Sequence, residues 1–123
     1  MSRLILLLGI SLLFVSFIDP PCSIMKKGKF KYLDHNDKTA FFEVNGNKEV
    51  EYYQNKKYYV KSDIKWLSDC VYELSLTAAT LPKLQFRPGD KLKVEILSIR
   101  NDTITYKASS QFKAWMGKLK VMK

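Results

Sequence analysis

The feature that most constrains this chain is an alternation of apolar and polar residues with a period of two. It runs in short stretches almost from Lys29 to the C-terminus. Successive side chains of a β-strand point to opposite faces, so this rhythm asks for strands with one buried face. In "GKFKYL" Phe30 and Tyr32 alternate with Lys29 and Lys31, and in "KTAFFEV" Ala40, Phe42 and Val44 share a face. "KEVEYY" reads with Val50 and Tyr52 inward and Glu49 and Glu51 on a polar outer face. "YYVKSDIKWL" places Tyr58, Val60, Ile64 and Trp66 together, and "CVYELSL" does the same for Cys70, Tyr72, Leu74 and Leu76. "KLKVEILSI" alternates until Leu97 and Ile99 shift the phase, which predicts a bulge. "ITYKAS" and a closing "GKLKVMK" complete the set, with Leu119 and Val121 inward.

Turn signals separate these runs. "NGN" at 45–47 is a hairpin signal, because Asn and Gly tolerate positive φ. "QNKK", "SD" at 68–69, "RPGD" and "NDT" punctuate the rest, while residues 77–84 read as a short helical turn or an irregular loop and "SQFKAWM" is ambiguous. Seven or eight short antiparallel strands result. The expected fold is all-β, either a small meander barrel of lipocalin-like or half-barrel kind or a two-sheet sandwich. Closure is favoured because it removes exposed strand edges.

The first residues stand apart. After Arg3, Leu4 to Ile18 is an unbroken run of apolar and small residues, ended by Asp19, Pro20 and Pro21. Fifteen residues at ~1.5 Å each fall short of a ~30 Å hydrocarbon core, so residues 1–21 read as a secretory signal, with an N-terminal anchor as the alternative. The residues just before Cys22 fit a lipoprotein cut poorly. Residues 22–123 then form a single all-β domain. Losing Arg3 and Asp19 together leaves the net charge at +9. The expected address is periplasmic or extracellular, and in an oxidising compartment the two cysteines, Cys22 and Cys70, are expected to form a structural disulfide. Such a bridge would pin the N-terminus onto the middle of the sheet.

Few kinds of chemistry are open to this composition. One histidine, His35 in "LDHND", and two cysteines without a C-x-x-C do not supply a zinc site. "DHND" lacks the alternating ligands of a calcium loop, and the five glycines never cluster as a phosphate loop requires. No catalytic, metal or cofactor-binding residue is therefore expected. Lysines interleaved with tyrosines, as in "YYQNKKYY", suit an anionic partner. Export disfavours nucleic acid and leaves an anionic envelope surface such as head groups or an acidic glycan.

Four segments, "C-x(5)-GKFKY", "IKWLSDCVYEL", "GDKLKVEILSIRNDTITYKA" and "GKLKVMK", resemble a family of short exported, lipoprotein-like proteins of Bacteroidetes. The resemblance is most specific at Trp66, Asp69, Cys70, Tyr72 and Leu74. Within it Trp66, Tyr72 and Leu74 are expected in the core and Asp69 in the turn. Some members carry the name DNA topoisomerase IV, an activity for which this chain has neither the length nor an ATPase motif. The function expected is that of a non-enzymatic binding or envelope-associated accessory protein. Its partner is a small apolar ligand at the barrel mouth near residues 77–89, or the anionic surface. The alternatives are a small hydrolase or lyase using His35 with surface carboxylates, and a nucleic-acid binder using the Lys/Tyr face.

Overall fold

The computed structural model describes residues 21–123; all but the last residue of the expected signal segment, 1–21, lies outside them. A 3-10 turn, Cys22–Lys26, leads into eight antiparallel strands: β1 (Lys27–Tyr32), β2 (Phe41–Asn45), β3 (Lys48–Tyr53), β4 (Tyr58–Ser68), β5 (Val71–Ala79), β6 (Lys91–Arg100), β7 (Thr103–Ser109) and β8 (Ala114–Met122). Each strand pairs with its neighbours in chain order, and β1 pairs with β8 to close a barrel. The closing register runs from Lys29 opposite Met122 to Tyr32 opposite Leu119. Barrel, not sandwich, is the architecture.

Local sequence sets the turns. Asn45 pairs with Lys48, so the β2–β3 hairpin turns on Gly46 and Asn47, and the positive φ of 65° falls on Gly46. Glycine first in a two-residue loop matches the right-handed twist of the flanking strands. The expected bulge in β6 is present as a register shift between Ile96 and Ser98. Two boundaries differ from expectation. Residues 77–79 extend β5, because a second bulge between Lys61 and Ser62 lets β4 reach Ala78 and Ala79. The ambiguous "SQFKAWM" supplies the start of β8, where Ala114 pairs with Ser109.

The barrel has a sealed floor and an open mouth. Met25, 1% exposed, sits on the floor with Cys22, and Cys22 is bonded to Cys70 in the β4–β5 turn with Cα atoms 5.3 Å apart. Above them Phe30, Ile104 and Leu119 fill the lower interior. The β1–β2, β3–β4, β5–β6 and β7–β8 loops ring the other end.

Two of those rim loops are clasped together. Gln54, Asn55 and Lys56 all hold positive φ, of 50°, 56° and 68°. Side chains with a Cβ adopt this region at a cost of roughly 1 kcal/mol or more each. Asp37 accepts the Gln54 amide at 2.7 Å and the Thr39 amide and hydroxyl at 2.9 and 2.6 Å, while Thr39 Oγ1 accepts the Asn55 amide at 3.0 Å. These bonds, that of the Thr39 hydroxyl foremost, hold the Asp37 carboxyl below its usual range. In Asp37→Ala the Gln54 and Asn55 amides should exchange with deuterium faster, with strand amides unchanged. Unchanged rates at 54 and 55 would show that the turn holds itself.

A candidate ligand cavity

The pairing of β2 with β3 decides what the barrel encloses. Phe42 and Val44 face inward, and directly paired residues share a face; Glu51 pairs with Phe42 and Glu49 with Val44. Both glutamates therefore point into the barrel. This corrects the expectation that they form a polar outer face. It is Tyr52 that lies outside, its ring 5.2 Å from that of Phe41. Glu49 is 3% exposed and Glu51 is half-buried.

A cavity of about 340 Å³ occupies the upper half of the barrel, walled by Tyr32, Glu49, Glu51, Tyr72, Tyr106 and Trp115. A second lobe of about 160 Å³ shares Glu51, Tyr53 and Trp115 and extends beneath Leu84 and Phe86 of the β5–β6 loop. That loop is the one expected to border a site. The wall is less apolar than expected, because both carboxyls stand in it.

Glu51 Oε1 accepts hydrogen bonds from the Tyr32 and Tyr53 hydroxyls, each at 2.7 Å. Glu49 has no such support: its Oε2 is buried without a hydrogen-bond partner. Burial first, and then the neighbouring Glu51, pushes the Glu49 carboxyl well above the usual range. Burial also raises Glu51, opposed by its two tyrosine bonds and by His35. Burial and then the two carboxylates raise the Tyr32, Tyr53 and Tyr72 hydroxyls, which stay neutral donors at physiological pH. A buried polar atom without a partner costs about 1–3 kcal/mol, so Glu49 Oε2 calls for a polar partner from outside the chain.

No protein-family model, curated protein or solved structure matches this chain. What the cavity does is read from its own walls.

His35, expected as a solvated turn residue, is exposed, yet its ring lies 5.9 Å from Tyr32 and 5.4 Å from Tyr53 at the cavity rim. Its Nδ1 accepts the Asp37 amide at 3.0 Å, which leaves Nε2 to carry the proton of the neutral ring. Of the motif residues, Tyr72 and Leu74 are buried and also line the cavity. Trp66 packs on Tyr72 with ring centroids 4.9 Å apart, under the Lys26 ammonium, and Asp69 is exposed in its turn. The Lys/Tyr face exists on the outside: Lys56 lies 5.2 Å over Tyr52 and Lys61 4.8 Å over Tyr59. These lysines cover the rings on which bases would have to stack.

Gly117 keeps the cavity open. It pairs with Tyr106, and a Cβ at 117 would come within 2.5 Å of the Tyr106 hydroxyl. Tyr106 thus lies across the gap in β8 that the glycine leaves. Gly117→Val should drive that ring from its place and cost about 1–3 kcal/mol by overcrowding. Urea unfolding would check this, and a variant as stable as the parent would mean that Tyr106 swings aside freely.

Proposed function

We propose that this protein is an exported, non-enzymatic binding protein of the cell envelope whose barrel holds a small ligand. The observation that carries the reading is the open cavity above a filled floor, with an unpartnered Glu49 carboxyl oxygen in its wall. Ligand sites are typically concave, of about 300–1,000 Å³, mostly apolar and aromatic with a few convergent polar groups. A disulfide suits the oxidising compartments outside the cytoplasm, in keeping with a cleaved signal at residues 1–21. Among the described residues no helix is long and apolar enough to cross a membrane. The ligand's apolar body rests against the apolar and aromatic wall of the cavity, Trp115 included, and its polar end meets the carboxyls.

A thermal-shift screen of small molecules tests this. A ligand should raise the melting temperature of the parent and have less effect on Gly117→Val, in which Tyr106 is displaced. Equal shifts in both proteins would place binding elsewhere.

One observation favours a second reading, a small hydrolase or lyase: His35 lines the same cavity as Glu49 and Glu51. An acid and a base facing one bound molecule is the arrangement proton-transfer catalysis needs. Turnover that disappears in His35→Ala while binding persists would favour that reading over the first.

A further inference from the structure

The cavity's chemistry narrows the ligand class, on the reading that the barrel is a binding site. Its two carboxyls are unequally served. Glu51 Oε1 already accepts two tyrosine hydroxyls, whereas Glu49 Oε2, in a side chain 97% buried, accepts nothing. Burial favours the neutral carboxyl, and a cation seated beside it favours the ionised form, which accepts only; a cationic ligand that completes this wall therefore brings N–H donors. Tyr32, Tyr72, Tyr106 and Trp115 line the same cavity, and aromatic rings attract cations over their faces. The protein as a whole is basic, yet the charged groups deepest in this cavity are acids. The lysines that border it are exposed: Lys118 at the rim with Asp34 and His35, and Lys91 beside the second lobe, paired with Glu73 at 3.6 Å.

We infer that the cavity takes a small organic cation, a protonated amine on an apolar or aromatic body, with its nitrogen donating to Glu49 and its body against Tyr72, Tyr106 and Trp115. An anionic ligand would meet two carboxyls, and a wholly apolar one would leave Glu49 Oε2 without a donor. The surface lysines weigh little against such a ligand, since at physiological salt charges are screened over about 8 Å.

The test is a calorimetric comparison of three probes of like shape on the full domain: phenethylamine, phenethyl alcohol and hydrocinnamate. Phenethylamine should bind about tenfold more tightly than the alcohol, as a charge-assisted hydrogen bond and ring faces together allow. In Glu49→Gln the amine should lose about tenfold and the alcohol should change little. Melting curves on the same samples check that the variant is folded. Alcohol or hydrocinnamate binding as well as the amine would overturn the cation inference and leave the binding reading standing. An amine preference that survives in Glu49→Gln would overturn the role of Glu49. A cavity that takes none of the three, nor any molecule of the thermal-shift screen, would remove both.

Discussion

Reducing the Cys22–Cys70 disulfide, or replacing both cysteines with serine, should lower the unfolding free energy by about 4 kcal/mol. The bond closes a loop with a sequence separation of 48 residues, and the chain-entropy relation gives about that figure for a loop of this length. A domain of this size holds about 5–15 kcal/mol in total, and a loss of about 4 corresponds to a fall of roughly 20 °C in melting temperature. The effect has a local component as well. Met25 seals the barrel floor from a turn of five residues, and the disulfide at Cys22 adds to the packing of Ile24 and Met25 and to the Gly46 amide's bond to the Lys26 carbonyl at 3.3 Å in holding that turn down. The amides of residues 22–26 should therefore lose protection before those of the strands. Urea unfolding with and without reductant, with hydrogen exchange on the same samples, measures both. A loss below about 1 kcal/mol would show that the floor is held by packing alone.

The second large effect is a gain. Glu49→Met should stabilise the domain by about 1–3 kcal/mol at neutral pH, because it replaces a buried, unpartnered carboxyl with an apolar chain of similar length. The sign with pH follows from the raised carboxyl. Above about 4.5, the ordinary value, the unfolded chain has released this proton while the native state still holds it. Native protein then binds more protons, so parent stability declines as pH rises from there through the raised native value. The variant lacks that decline, apart from the part due to Glu51, and its advantage should grow between pH 4 and pH 8. Asp37 acts in the opposite sense and lower down: its depressed carboxyl adds stability that is present above about 3.8 and lost as pH falls through the native value. Urea midpoints at pH 4 and pH 8 decide the matter, and a variant less stable than its parent at pH 8 would mean that Glu49 has a partner in solution. A residue that costs stability where methionine would serve better is the kind of local inconsistency that functional sites retain.

Much of the fold was legible in the alternation itself. Eight runs became eight strands, the phase shift at Leu97 became the β6 bulge, and Tyr72 and Leu74 faced inward with Cys70 below them. The candidate site was legible only in part, and the two glutamates show why. Hydropathy alone assigned Val50 and Tyr52 to the inside of β3. Register overrules hydropathy here: with Phe42 and Val44 inward, any two-residue turn in "NGN" places Glu49 and Glu51 on that same face. That arithmetic was available in the sequence. The cavity was not, since alternation marks which residues face inward but not whether their volumes fill the space between the walls. His35 reached the rim through the fold of the β1–β2 loop, residues 33–40, around Asp37, for which no periodic signal exists.

The most direct test of a ligand-holding barrel is a heteronuclear NMR titration of the labelled domain with a small-molecule extract of its native host. A ligand held inside the barrel should shift Tyr32, Glu49, Glu51, Tyr72 and Tyr106, saturating together, with Tyr52, Tyr59 and Lys61 undisturbed. Shifts confined to that outer lysine and tyrosine face, with the interior silent, would contradict that placement.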